Sequence, residues 1–468
     1  MTLKGERQTD FAYQAVYRYM INLINEVGNE ARVKLPSLRQ LSERLNVSIS
    51  TIQYAYSLLE KEGRVYSVAK SGYYAWPVLS NPQGCAGGDL LERLYAAARR
   101  TGMLVLSGDE PALLASLDGA LLTLERELVR HYPRQLQPWS QPCGVWELRT
   151  ALAARYTSSP TRCWQADDVY IGADLRGVLE ILIEVLGLKG ATVVVESPCD
   201  WPILRLLQDA GVRIVELPCT TDGTLDLAAV EQLLRKEPVQ LALLSSGVSL
   251  PSGIALSSHD RLQLACLLEH YGCWLLENDS HGELGFEHTG PALRDLVNPE
   301  RLMVFSTFEK MLGPEAPFGY LLSRHLSSEL QRQFLLRAFR LSSIRQRAIA
   351  RLYQSGRIDQ HLQDLRPLLK EQATQMSQRL DQHLGDRVSY RMPAAGATFW
   401  LCSGAPVDMR QVFQCMLAQN VVIAPGELFS ISGLYQQHLR LSHTFDGQHN
   451  LDIALSELAR ALKKAQIH

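Results

Sequence analysis

Hydrophobic positions near the start of the chain recur at helical spacing. Over residues 11–27, Val16, Met20, Leu23, Ile24 and Val27 share one face, which predicts a helix. After the Leu35-Pro36 break, Ser37 is placed to cap a second helix that buries Leu38, Leu41 and Leu45. The turn Asn46-Val47 leads to Ser48, a cap for a third helix in which Ile52, Ala55, Tyr56 and Leu59 fall at i, i+3, i+4 and i+7. Gly63, free to take positive φ, ends that helix. Residues 64–68 and 73–76, joined by a turn containing Gly72, read as a hairpin. Three helices and a hairpin make a winged helix-turn-helix over residues 1–76, followed by a linker at 77–89 rich in proline and glycine.

From about residue 165 the period changes. Short β-branched or leucine-rich runs at 168–172, 192–196, 213–217, 240–245, 273–277 and 303–306 alternate with helical stretches such as 178–188 and 260–271. That alternation predicts a mostly parallel sheet covered on both faces. From about residue 370 a smaller α/β subdomain follows, with strands expected at 398–401, 421–424 and 439–442. The body thus spans 90–468, its large part about 130–340.

Composition narrows the classes. The 468 residues are 46% hydrophobic and 21% charged, an ordinary globular balance. A net charge of -2 excludes a protein that coats polyanions without selectivity. Residues 1–80 nevertheless hold 10 Lys/Arg against 7 Asp/Glu, so the head is basic and the body acidic. The nine cysteines are scattered with no C-x-x-C pair, which argues against a zinc ribbon or a disulfide framework. Without a signal-like start or a run near the roughly 18 apolar residues of a membrane span, a cytoplasmic location is expected.

In a helix-turn-helix the second helix of the motif enters the major groove by its N-terminal residues. Here these are Ser48, Ile49, Ser50, Thr51, Gln53 and Tyr54. Glutamine suits adenine, and hydroxyls suit phosphates or bases. Arg39 on the preceding helix and Lys70 at the hairpin tip are candidate phosphate contacts. A protein-interaction domain with a solvated polar face is the alternative. The run Leu35-Pro36-Ser37-Leu38-Arg39-Gln40-Leu41, then Leu45-Asn46-Val47-Ser48, Thr51, Ala55-Tyr56, Leu59, Gly63, Val65 and Ser71-Gly72-Tyr73 closely resembles the GntR-type winged helix. The resemblance implies operator DNA as partner. It departs at Ile49, where the family usually carries arginine, so a different operator preference is expected.

In the body, Ser306-Thr307-Phe308-Glu309-Lys310 directly follows an apolar strand. A lysine there suits attack on a carbonyl and capture of a cofactor aldehyde as a Schiff base, although a surface lysine is the alternative. Gly172 precedes a helix whose N-terminus suits a phosphate. Glu196-Ser197-Pro198 with Trp201, Pro251-Ser252-Gly253, Glu277-Asn278-Asp279 and Arg440 follow in the order of the fold-type I aminotransferases that use pyridoxal phosphate, which this series resembles. Behind a GntR-type head, the whole resembles the MocR subfamily of bacterial transcription regulators.

The resemblance implies that Lys310 is the aldehyde-binding lysine, Arg440 the clamp for a substrate or effector carboxylate, and Thr307 a phosphate contact. It places Trp201 beside the ring-stacking column and Asn278 in the column of the aspartate that partners the ring nitrogen. Asp279 is a substitute by a one-residue shift, and His281 a donor to the ring hydroxyl or a solvated loop residue. Leu250 replaces an asparagine, and Pro317 replaces the arginine that pairs with the cofactor phosphate. The implied function is a homodimeric DNA-binding regulator whose body senses pyridoxal phosphate, an amino compound, or both. A pyridoxal-phosphate aminotransferase with an accessory head and a cofactor-free sensor are the alternatives.

Overall fold

A computed structural model describes residues 16, 17, 19, 20, 23, 34–45, 47–61, 65–68, 71–75, 89–131, 141–220, 224–287, 290–337, 341–445 and 450–467. The chain divides into two compact units, Met1–Gly88 and Asp89–His468. Lys70, Asn46, Gly63 and residues 77–88 of the expected linker lie outside the described residues.

In the head, the described positions between residues 16 and 23 are helical. Helix α1 (Leu38–Leu45) begins with a reciprocal cap: Ser37 N donates to Gln40 Oε1 at 2.8 Å and Gln40 N to Ser37 Oγ at 3.3 Å. Helix α2 (Ile49–Lys61) begins at Ser48, whose Oγ accepts from Thr51 N at 3.2 Å. Strands β1 (Val65–Val68) and β2 (Gly72–Ala75) pair antiparallel as the wing. Val16, Met20, Leu41, Ile52, Tyr56 and Leu59 bury together, which fixes the three helices around one small core. Tyr56 stacks on Tyr73 at 4.3 Å and donates to Pro36 O at 2.5 Å, tying α2 to the wing and to the start of α1.

The body is built on a seven-stranded sheet in the order β4-β12-β11-β10-β7-β5-β6. Its strands are β4 (Val169–Gly172), β5 (Thr192–Val195), β6 (Arg213–Glu216), β7 (Val239–Ser245), β10 (Trp274–Asn278), β11 (Leu302–Thr307) and β12 (Gly319–Ser323). All neighbours are parallel except β12, which runs antiparallel to both β11 and β4. Helices cover both faces, so β4, β5, β11 and β12 are buried along their whole length and read as continuous apolar runs. Helix α3 (Leu90–Ala98) opens the body and leads to β3 (Leu104–Val105), which pairs parallel with β15 (Val421–Val422).

A second, antiparallel sheet, β13-β14-β17-β16, forms the C-terminal part; β13 is Val388–Tyr390, β14 Thr398–Ser403, β16 Ala424–Pro425 and β17 His438–Ser442. Its helices Met409–Ala418 and Leu451–Lys464 pack Val412, Phe413, Leu455 and Leu458 into a separate core with Phe399 and Leu441. The 421–424 run is therefore not one strand. It splits at Ile423, and its halves pair with β3 and with β17.

Candidate functional site

The carboxyl ends of β5, β7, β10 and β11 carry Glu196, Ser245, Asn278 and Thr307, the edge where open α/β sheets receive ligands. A cavity there is lined by Asn278, His281, Asp109, Asp200, Glu196 and Arg440, among others. Arg440 reaches it from β17, where Trp400 is its cross-strand partner.

Lys310 sits in the short helix Glu309–Leu312 that follows β11. Its Nζ donates to Asp109 O and lies 3.5 Å from Glu110 Oε1 and 3.9 Å from Asp109 Oδ2. Burial disfavours its charge, but Asp109, Glu110 and Asp200 outweigh that and hold the ammonium above its ordinary range. Asp109 is 9% exposed, and its Oδ2 lies 2.9 Å from His281 Nε2. Burial pushes its carboxyl up, yet His281, Lys310 and Arg440 pull it well below the usual carboxylate range.

Arg440 is 4% exposed. Its guanidinium lies 4.3 Å from the Trp201 ring and 4.9 Å from Phe429, a cation held between aromatic faces. Nη2 donates to Ser107 O at 2.5 Å, Nη1 approaches Asp200 Oδ1 at 3.3 Å, and among the described residues Nε has no hydrogen-bond partner. Trp201 starts the helix after β5 and donates Nε1–H to Tyr95 at 3.1 Å.

Asn278 and Asp279 point to different partners, as successive strand residues do. Asn278 Oδ1 accepts from Ser280 N at 3.1 Å and Ser280 Oγ at 2.7 Å, which leaves its amide N–H groups to offer a ligand. Asp279 is spent elsewhere: its Oδ1 takes Arg294 Nη1 at 2.9 Å and its Oδ2 takes Tyr156 OH at 2.5 Å. Glu277 also pairs with Arg294, and complete burial together with Asp279 raises its carboxyl above the ordinary value despite that cation. The one-residue shift that would bring Asp279 to a cofactor ring is therefore not made, because Arg294 and Tyr156 hold it.

Thr307 is buried and donates to Phe318 O at 3.3 Å. At the start of the helix Leu175–Val185, Asp174 Oδ1 accepts from Gly177 N at 2.7 Å. The fold brings Asn278, His281 and Arg440, all expected from the sequence, to one cavity, with Lys310 beside it through Asp109. The sequence reading missed Asp109, Ser107, Glu110 and Asp200. The signal for the first three was Ser107-Gly108-Asp109-Glu110-Pro111, two acids after a short apolar run in a segment no chemical motif marked.

On the head, Ile49 is 46% and Tyr54 52% exposed, and Arg39, Ser48, Ser50 and Gln53 are exposed, with Thr51 half-buried. Ser48 Oγ lies 2.9 Å from Ser50 Oγ and 2.7 Å from Thr51 Oγ1, a cluster of hydroxyls at the N-terminus of α2. Gln53 and Tyr54 follow one turn on.

A winged helix ahead of an aminotransferase-type α/β body defines a two-part architecture of reader and ligand-binding domain. Comparison places both parts: the chain belongs to the aminotransferase class I and II family over residues 135–457, and its head matches the bacterial regulatory proteins of the gntR family over residues 12–74. It is 25% identical to the HTH-type transcriptional regulator YdcR of Escherichia coli over 92% of this chain and 94% of that one. It is 19% identical to the HTH-type transcriptional regulator NorG of Staphylococcus aureus over 92% and 100%. Among solved structures, the multiple substrate aminotransferase of Thermococcus profundus superposes with a TM-score of 0.72 at 18% identity, covering 81% of this chain and 95% of that one. The α-aminoadipate aminotransferase LysN of Thermus thermophilus, complexed with N-(5'-phosphopyridoxyl)-L-leucine, gives 0.71 at 21% over 81% and 95%.

The family and fold support pyridoxal phosphate as the cofactor. The donor set here fits its ring end: a buried amine at Lys310, amide N–H groups at Asn278, and an imidazole at His281. The phosphate end is filled from within the chain. Pro317 carries no charge, the Thr307 hydroxyl is bound to Phe318, and the Asp174 carboxylate caps the helix that would face an anion.

Proposed function

We propose that this protein is a sequence-specific DNA-binding transcription regulator, active as a homodimer, whose aminotransferase-like body senses pyridoxal phosphate and an amino compound. The observation that carries the reading is the pairing in one chain of an exposed hydroxyl- and amide-bearing helix start, Ser48 to Tyr54, with a cavity where His281 and Arg440 gather around Asp109. The names of the matched regulators support it.

In this reading Gln53 and Tyr54 meet base edges, while Ser48, Ser50, Thr51, Arg39 and Lys70 meet phosphates. In the body, the bound cofactor supplies an electrophilic aldehyde toward amines. Lys310 would hold it, and Asp109 and Glu110 favour the ammonium form of that lysine. Asn278 would hold the ring nitrogen and, being an amide, would not stabilise a positive charge on it. That leaves binding favoured over turnover. Arg440 holds a carboxylate of the amino compound, with Trp201 and Phe429 keeping water from the guanidinium.

The test is selection of binding sequences from random duplex DNA by the full chain, followed by titration of the selected site with and without pyridoxal phosphate. The expected result is a selected consensus, its loss in Gln53→Ala, and a change of affinity on adding pyridoxal phosphate that Lys310→Ala abolishes. Enrichment of no consensus at low salt, where phosphate contacts are strongest, overturns the reading.

A further inference from the structure

The basic groups of the cavity already hold an anion, and it belongs to the chain itself. His281 follows β10, Lys310 follows β11 and Arg440 lies on β17, yet all three act on the one carboxylate of Asp109. His281 Nε2 lies 2.9 Å and Lys310 Nζ 3.9 Å from its Oδ2. The backbone of the same tip serves the same cations: Lys310 donates to Asp109 O, and Arg440 to Ser107 O at 2.5 Å. Both amine and guanidinium are thus occupied from residues 107–110.

The tip is anchored at its ends by the backbone and between them only through side chains. Leu106 N donates to Val422 O and Ser442 N to Leu106 O, each at 2.8 Å, and Thr444 Oγ1 donates to Glu110 O at 3.0 Å. Among the described residues, no backbone N–H of Ser107, Gly108, Asp109 or Glu110 donates a hydrogen bond. Among the described residues, Asp109 Oδ1 has no hydrogen-bond partner although it is buried. A carboxylate kept only for structure would have its second oxygen satisfied as well.

We propose that Asp109 is an intramolecular stand-in for a ligand carboxylate: a carboxylate-bearing amino compound enters by displacing the 107–110 tip and taking over Arg440, which releases His281 and Lys310 from Asp109. This deepens the regulatory reading and rests on it for the role of the cavity. A singly charged carboxylate suits the seat better than a phosphate dianion, because Asp200 and Glu110 flank Lys310 and repel added charge. A tethered competitor lowers the apparent affinity of any free ligand by the fraction of time the seat is open.

The experiment is calorimetric titration of the full chain with L-alanine, ethylamine and inorganic phosphate, in the wild type, Asp109→Asn and Asp109→Glu. L-Alanine is expected to bind Asp109→Asn at least about tenfold tighter than wild type, with Asp109→Glu close to wild type and Arg440→Ala in the Asp109→Asn background abolishing the gain. Equal or weaker binding of L-alanine by Asp109→Asn overturns the proposal. So does a matching gain for ethylamine, which lacks the carboxylate, or a larger gain for phosphate. Loss of the folded state in both Asp109 variants makes the residue a structural anion and overturns it too. DNA binding is measured on the same preparations. Tightening without any DNA binding sinks the regulatory reading and leaves the stand-in, whereas DNA binding without tightening does the reverse.

Discussion

Pro317 stands where the family resemblance places an arginine that pairs with the cofactor phosphate, so restoring that cation is the most direct probe of the site. A charge-assisted bidentate contact contributes about 1.5–3 kcal/mol, or one to two decades of affinity. Pro317→Arg is therefore expected to bind pyridoxal phosphate about 10- to 100-fold tighter in an absorbance titration. Pyridoxal without its phosphate is expected to bind both forms alike, and an equal gain for pyridoxal would refute the assignment. At this scale the sequence disclosed groups that follow a recognisable strand, such as Lys310, Asn278 and Arg440. Asp109 and Asp200 were hidden because they act through distance: Asp109 is 201 residues from Lys310, and no local period links them.

Helix α2 depends on its first turn. Ser48 satisfies Thr51 N there and positions the Ser50 and Thr51 hydroxyls, so Ser48→Ala should cost the head about 1 kcal/mol of stability. Differential scanning calorimetry would show this as a lower melting temperature of the head's transition, with the body's transition unmoved, and weaker operator binding alongside it. Most elements were legible because buried parallel strands read as unbroken apolar runs between turn residues. The strand β12 escaped, although Tyr320, Leu321 and Leu322 form such a run. Its residues follow the Lys310 segment after a turn, and an apolar run carries no mark of the direction in which it will pair. The 421–424 run misled for a related reason: both halves are apolar and extended, and only the tertiary fold decides that each pairs with a different strand.

Over the whole molecule, two solution properties follow. His443 is 1% exposed, and burial pushes its imidazole down to about 4 from an ordinary 6.5. Between those values the unfolded chain binds a proton that the folded chain refuses. Stability from this group is complete above the unfolded value and is lost as pH falls toward the folded one, by about 3 kcal/mol in all. Urea melts at pH 7 and near pH 4 should show that difference between wild type and His443→Gln, and parallel pH dependences would contradict it. Operator affinity should also fall steeply as salt rises, since a head that carries 10 basic residues against 7 acidic ones within the first 80 binds phosphates by releasing counterions. Removing one phosphate contact, as in Arg39→Ala, should lower the slope of log affinity against log salt by about 1.

The division of the chain between Gly88 and Asp89 leaves the tip at 107–110, Lys310 and Arg440 together on the C-terminal side. Every residue of the proposed ligand seat is encoded in one contiguous stretch of gene. A different DNA-reading module spliced in ahead of residue 89 would thus acquire an intact receptor. The order of the parts makes this body a transferable cassette for putting new promoters under the same chemical command.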